Sequence, residues 1–451
     1  MKSSSILMTT GNIKKTILKF AFPIFLGNLF QQLYNIVDTL VVGNTQGKTA
    51  LAAIGSTGPL IFLLVGFFGG LFMGVGVTIS HYFGANDKKK VEDSISTALS
   101  FGLIAGVVLT IIGTIFTPAL LELTKTPSSV MEEATIYVQT YFMGIIFLVL
   151  YNTASGIFQA VGDSRHPLYY LIISSITNVI LDLLFIIVFD MGIRGAAIAT
   201  VIAQALSVFL AFKRLLTVND IYRIHLKKLH VDMQILIQML KVGLPAGLQN
   251  SIIAIANVFV QSNINTFADS AMAGNGAYTK IEGFAFIPIT SFCMSLTTFV
   301  SQNLGANKPK RVKQGTRFGI ISSLIIAECI GIIFFLFSAE LVGFFSKDPE
   351  VIAVGVLRAQ VCALFYFLLS FSHSIAGILR GAGKSLVPMF IMLICWCIIR
   401  VSYIHFIMLS FHKIEAIFWA YPLTWFLSST LFLTYYLKSN WNKCTTLPAI
   451  N

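Results

Sequence analysis

Twelve apolar runs, each long enough to cross a bilayer as a helix, take up most of this chain. They fall at about 20–42, 50–81, 94–121, 134–158, 167–189, 193–212, 240–265, 271–302, 316–338, 351–379, 387–410 and 414–437. About 20 apolar residues span the hydrocarbon as a helix, and a water-soluble interior of 451 residues cannot hide this much apolar surface. Only 11% of the residues are charged, against roughly a quarter in soluble domains. The expected fold is therefore an all-α integral membrane protein. Soluble enzymes, nucleic-acid binders and disordered scaffolds are excluded. The first run follows Lys14, Lys15 and Lys19 but lacks a small-residue cleavage site and is too long for a signal peptide, so it is read as the first span.

The charges orient these spans. With the N-terminus placed in the cytoplasm, 23 of the 31 Lys and Arg fall on the inner side, six lie on the outer side or at nearby helix ends, and Arg358 and Arg400 lie within spans. The inner clusters include Lys88–Lys90, the segment from Lys213 to Lys241, Lys308–Arg317, and Arg380 with Lys384. This is a strong positive-inside bias, and it places both termini in the cytoplasm of a plasma (inner) membrane protein. The six cysteines form no CxxC pair and five lie in apolar runs, so they read as small packing residues.

A repeat then divides the chain. Ser80–Val91 (SHYFGANDKKKV) returns as Ser301–Val312 (SQNLGANKPKRV), 221 residues on, with six of twelve residues identical. Gly156–Pro167 (GIFQAVGDSRHP) returns as Gly377–Pro388 (GILRGAGKSLVP) at the same offset, and Pro23 matches Pro245 at 222. Six spans per repeat is an even number, so both halves share one orientation. The expected architecture is two six-helix bundles related by a pseudo-twofold axis along the membrane normal, with substrate handled between the repeats near the midplane. The expected division is residues 1–217 as an N-terminal lobe, 218–234 as a basic cytoplasmic linker and 235–451 as a C-terminal lobe. The linker either serves topology alone or lies along an anionic leaflet.

This arrangement, with the FGAN and LGAN loops after the second and eighth spans and the stretch Ala277–Pro288 (AYTKIEGFAFIP), resembles the multidrug and toxic compound extrusion (MATE) family from about Lys14 to Tyr436. The resemblance implies a secondary active antiporter that exports amphipathic, often cationic compounds in exchange for H+ or Na+ by alternating access. It implies a transporter and not an enzyme, with no cofactor beyond the coupling ion. The partners are small-molecule substrates and the lipid bilayer, not nucleic acid, and the chain is expected to act as a monomer. The residues are similar to the bacterial and archaeal branch with a cation site in the N-terminal lobe. The positions that match that branch are Asp38, the pair Asn178 and Asp182, and Thr200, with Na+ one possible occupant. A second branch carries an acid eight residues after the proline of the seventh span; Ile253 stands there and cannot serve.

The residues make the same case physically. A carboxylate in the bilayer interior costs at least a few kcal/mol and is a functional candidate by default. Four occur here, Asp38, Asp182, Glu282 and Glu328. Counted from the span ends at 1.5 Å per residue, Asp38, Asp182 and Thr200 sit roughly 8–12 Å below the outer ends. Asn178 and Asp182 share a helix face. Oxygen donors at one depth suit a hard monovalent cation, and two neighbouring buried carboxylates suit a proton equally well. No Lys or Arg occurs in the interior of spans one to six to pair with them. Asn28, Gln31 and Asn35 complete a polar stripe with Asp38 and are substrate-cavity candidates, as are Asn257, Gln261 and Glu282.

Glu282 and Glu328 share their half with Arg358 and Arg400. Glu328, Arg358 and Arg400 are therefore candidates for structural ion pairs, and Glu282 for either a pair or substrate handling. Pro23 lacks the N–H that ties a helix to its preceding turn; it is either a conformational hinge or a proline tolerated near a helix start. An alternative function is a lipid-linked oligosaccharide flippase of the same wider superfamily, for which Arg358 and Arg400 would meet pyrophosphate.

Overall fold

The computed structural model describes residues 7–45, 47–123, 126–411 and 413–442, with all side chains in that range but those at 35, 37–63, 123 and 129. The helices are α1 (Ile13–Thr45), α2 (Gly47–Gly84), α3 (Lys88–Leu123), α4 (Met131–Met143), α5 (Ile145–Ala160), α6 (Arg165–Asp182), α7 (Gly192–Thr217) and α8 (Met233–Ile264). They continue as α9 (Asp269–Gly305), α10 (Pro309–Leu336), α11 (Ser338–Gly343), α12 (Pro349–Cys362), α13 (Tyr366–Gly381), α14 (Leu386–Met392), α15 (Arg400–Ser410) and α16 (Ile414–Lys438). No strand occurs among the described residues. Ten stretches of these helices are long and apolar enough to cross a membrane, and α4 with α5, bent by 45° about Gly144, makes an eleventh. The remaining expected span, α1, is 33 residues long, or about 50 Å.

Several spans are interrupted. The fifth passes from α6 into a π-helical turn at Leu183–Val188, and the eleventh from α14 into another at Leu393–Ile399. Such turns insert an extra residue into the helical ladder and recur at functional sites. The tenth is divided by a 3-10 turn at Ala363–Phe365, which frees a backbone donor just beyond it.

The chain forms two compact units. One is Phe22–Gly243; the other joins Met8–Ala21 to the chain from Leu244 onward. Residues 8–21, expected in the N-terminal lobe, thus pack in the second unit, and Met233–Gly243 pack in the first. Both α1 and α8 change unit two residues before a proline, Pro23 and Pro245. Each unit has its own apolar core, around Phe72, Phe158 and Tyr222 in the first and around Tyr366, Phe418 and Trp425 in the second.

The sequence repeat is also a backbone repeat. Asn86 and Asn307, 221 residues apart, both take positive φ (57° and 53°), as do Gly162 and Gly383 (84° and 76°). These are left-handed helix-ending positions, which Asn and Gly enter most readily. The docking of the entering helices repeats as well. In the second unit the Ser295 hydroxyl donates to the Ile17 carbonyl at 3.3 Å. In the first unit the equivalent crossing is backbone on backbone, and a Cβ on Gly74 would stand 2.1 Å from the Met239 carbonyl oxygen.

No real Cβ comes that close. Gly74→Ala is therefore expected to force α8 off α2, at about 1–3 kcal/mol for overpacking. Gly276→Ala, where an added Cβ meets no atom beyond its own stretch of helix within 4 Å, should cost far less. Thermal unfolding of the two purified variants checks this, and equal losses would show that the α2–α8 crossing is not rigid.

The LGAN loop has a role beyond ending its helix. Arg311 donates to three carbonyls of the strap that precedes α1 (Met8–Asn12), those of Met8 at 3.0 Å, Thr10 at 2.6 Å and Gly11 at 2.8 Å. Lys308 donates to the Thr9 carbonyl at 2.9 Å. Gln302 accepts the Met8 N–H at 3.1 Å, and Asn303 donates to the Met8 carbonyl at 3.2 Å. The motif thus supplies a donor to every carbonyl from Met8 to Gly11 and an acceptor to the Met8 N–H. In the first unit, Tyr82 of the FGAN motif donates to Gln238 of α8 at 2.6 Å.

Candidate cation site in the first unit

Asn178 and Asp182 lie one turn apart on α6, at 2% and 1% exposure. This is deep burial for an amide and a carboxylate, and it marks a built polar site rather than a solvated face. Asp182 ends the α-helical part of its span, immediately before the π turn at Leu183–Val188. On α7, the Thr200 hydroxyl donates to the Ala196 carbonyl at 3.1 Å, which leaves its lone pairs for a partner. With its amide in one orientation, Asn178 donates to the Thr200 hydroxyl at 3.3 Å. Turned over, Nδ2 donates to Asp182 Oδ2 at 2.8 Å and to the Tyr34 hydroxyl at 3.3 Å, while the amide oxygen accepts the Thr200 N–H at 3.1 Å. The second orientation satisfies both ends of the amide and is the better one.

Three of the four expected cation residues are therefore neighbours. The fourth, Asp38, lies in α1, but its side chain, like that of Asn35, is outside the described residues. Its position along the helix is informative nonetheless. Tyr34 brings α1 to Asn178, and Asp38 is four residues further along that helix. Tyr34 was not anticipated from the sequence, where it was one tyrosine among 14. Its spacing of four from Asp38 was the available signal. Of the other stripe residues, Asn28 is half-buried and Gln31 exposed.

In the second unit three of the expected candidates, Gln261, Glu282 and Arg358, form one network. Glu282 pairs with Arg358, Oε2 to guanidinium nitrogen, at 2.7 Å, and both are buried. Arg358 also donates to Thr279 at 2.7 Å and to the side-chain oxygen of Asn275. The Asn275 amide donates to Gln261 at 2.9 Å, and Gln261 donates to Asn265 at 2.7 Å. Two substrate-cavity candidates, Gln261 and Glu282, are thus tied together through Asn275 and Arg358. Asn257 is exposed on α8.

Glu328 and Arg400 do not form the ion pairs expected of them among the described residues. Glu328 is half-buried and accepts the Phe367 N–H at 3.2 Å, the donor left over just past the 3-10 turn in the tenth span. Arg400 is buried and donates twice to the Thr424 hydroxyl, at 3.2 and 2.9 Å. Its guanidinium lies 4.6 Å from the Tyr421 ring centre, and that of Arg358 lies 5.1 Å from the same ring. Arg380, counted in the sequence with the inner loop charges, is in fact 4% exposed at the end of α13 and donates to Gln249 at 3.2 Å. Nothing in its local sequence, beside a glycine-rich turn and Lys384, signalled that burial.

The comparisons with known proteins agree with this architecture. The family model described as MatE matches twice, at residues 23–184 and 245–404. The chain belongs to the MATE family of membrane transporters. Its relatives include the probable multidrug resistance protein YoeA of Bacillus subtilis, 29% identical with 92% of each chain covered. The probable multidrug resistance protein YpnP of the same organism is 30% identical, with 87% of this chain and 88% of that one covered. Among solved structures, a MOP superfamily transporter from Pyrococcus furiosus superposes with a TM-score of 0.90 at 21% identity, covering 97% of this chain and 98% of the other. That transporter is described as having a binding pocket of reverse polarity that suggests a different function. The two family matches begin at Pro23 and Pro245, where α1 and α8 have just changed unit.

Proposed function

We propose that this protein is a multidrug efflux antiporter of the plasma membrane, exporting amphipathic, often cationic organic compounds in exchange for H+ or Na+. It works by alternating access, as a monomer with both termini in the cytoplasm. The coupling ion binds in the first unit at Asp182, Asn178 and Thr200, joined by Asp38 and by the hydroxyl of Tyr34. The observation that carries this reading is the burial of Asn178 and Asp182 beside Thr200 and Tyr34, three helices contributing oxygens to one place. Oxygen donors without sulfur or imidazole favour a hard ion or a proton. Pro23, at the point where α1 changes unit, is the residue about which α1 bends when the ion binds.

The drug names of the Bacillus relatives support the substrate class, as does the acidic, base-free interior of spans one to six. The Glu282–Arg358 pair speaks against the flippase alternative, because it neutralises one of the two arginines that would have met pyrophosphate. Coupling makes a thermodynamic demand. If ion and drug oppose each other, each must weaken the other's binding by one common factor, typically about 5–150-fold. Equilibrium drug binding to the purified protein across pH and sodium concentration should show that loss of affinity in the wild type. Proteoliposomes with sodium and proton gradients imposed separately then name the ion. Drug affinity indifferent to both ions would overturn the antiport mechanism.

A further inference from the structure

The basic linker is folded onto the start of α3 and does not hang free. Ser96 accepts the His230 N–H at 2.7 Å and donates to the His230 carbonyl at 3.0 Å. Thr97 accepts the Asp232 N–H at 2.9 Å, and His230 lies 3.4 Å from the Asp93 carboxylate. At the upstream end Tyr222 is fully buried, its ring 6.5 Å from that of Phe158. These tethers border a partly open cavity of about 270 Å³. Its helix wall carries Glu92 and Asp93, and its linker wall carries Arg223, His225 and Lys228.

Two features of this site point to lipid. The first is what the linker shows to its surroundings. Leu226 is 54% exposed, Leu229 37%, Val231 39% and Met233 62%. Four exposed apolar side chains within eight residues suit an aqueous loop poorly. They sit between α7 and α8, two helices long and apolar enough to cross a membrane, and alternate with Lys227, Lys228 and His230. A basic segment with apolar side chains lies in the interface, its apolar groups among the acyl chains and its bases among the phosphates.

The second feature is the charge pattern of the cavity. Its fixed charges cancel, Arg223 and Lys228 against Glu92 and Asp93, and the two signs occupy opposite walls. A simple anion would meet the carboxylates, and a simple cation the bases. A ligand with both charges fits. The volume is below the roughly 300–1,000 Å³ of sites for drug-sized molecules, which suits a headgroup whose acyl chains lie outside along Leu226 and Leu229.

We propose that the cavity between α3 and the linker binds the headgroup of a phospholipid carrying a phosphate diester and a primary ammonium. The phosphate is held by Arg223 and Lys228 and the ammonium by Glu92. A phosphatidylethanolamine has this chemistry. A phosphatidylglycerol lacks the cation, and a phosphatidylcholine has a cation that cannot donate a hydrogen bond.

The test uses the full-length protein in detergent, titrated with dihexanoyl phosphatidylethanolamine, phosphatidylcholine and phosphatidylglycerol, with the rise in unfolding midpoint as the readout. Identical acyl chains leave only the headgroup to differ. Half-saturation by the ethanolamine lipid is expected at about two- to fivefold lower concentration than by the others, the value of one partly exposed ion pair. Glu92→Gln should abolish that preference while leaving phosphatidylglycerol binding intact or tighter. Lys228→Ala should weaken all three, with Arg223→Ala doing the same if the variant folds. Glycerophosphoethanolamine, the soluble headgroup, should compete with the lipid; if it stabilises the protein equally well alone, the ligand is a free phosphodiester and not a membrane lipid. Phosphatidylglycerol binding as tightly as phosphatidylethanolamine to the wild type, or an order of lipids unchanged in Glu92→Gln, would overturn the proposal.

Discussion

Replacing Asp182 by Asn is expected to abolish gradient-driven efflux while leaving expression near that of the wild type. The isostere keeps the side-chain volume, and its amide oxygen still accepts from Asn178 where Oδ2 does at 2.8 Å. What it loses is the charge. A carboxylate at this depth costs a few kcal/mol to bury, so removing it relieves the folded state and does not break it. The proposed exchange cycle, by contrast, would lose the group assigned to bind the proton or balance the sodium ion. A fall in transport of more than about tenfold, equivalent to over about 1.4 kcal/mol, should appear in proteoliposomes under either gradient. Wild-type rates in this variant would remove the first unit from the coupling mechanism.

The largest effect on stability is expected at Arg358. Arg358→Ala leaves Glu282 buried without its partner, at about 3–5 kcal/mol. Against a total stability of the order of 5–15 kcal/mol, that is enough to collapse the yield of folded protein. Arg400→Ala removes only bonds to one hydroxyl and two ring contacts and should cost less. The double variant Arg358→Met with Glu282→Leu should recover much of the loss, since apolar replacement of a complete buried pair is often neutral. It also separates the two readings of Glu282. Recovered stability with normal efflux makes the pair structural, and recovered stability with lost efflux makes Glu282 part of substrate handling. Thermal unfolding and transport on the same preparations decide it.

Much of this was legible in the sequence, for reasons that can be named. Spans are legible because lipid punishes every buried charge, so apolar runs and basic loops segregate. The repeat was legible as the 221-residue offset, and the positive φ of Asn86 and Asn307 shows why the asparagine recurs. Asn178 and Asp182 were legible because a spacing of four fixes a shared face whatever surrounds the helix. What the sequence withheld is which helix faces which. Glu282 meets Arg358 across 76 residues, Tyr34 meets Asn178 through α1, and Glu328 answers a backbone donor that exists only because the tenth span is interrupted. The burial of Arg380 was not legible because a basic residue at a span end looks the same in sequence whether its side chain turns to solvent or to the core.

The strap before α1 has a consequence for the order in which the molecule is made. Met8, Thr10 and Gly11 are synthesised 300 or more residues before Arg311, which holds them. At about 5–20 residues per second of synthesis, the start of the chain waits roughly 15–60 seconds for its dock. Met233–Gly243 wait for nothing, since α2 has long been in place when they emerge. The first unit can therefore complete itself during translation, whereas the second closes only when Met8–Ala21, made long before, docks on it. A protein cut after its sixth span would leave Met8–Ala21 permanently without a seat. By the same logic, a single-repeat ancestor could have satisfied its own first helix only by exchanging it with a second copy.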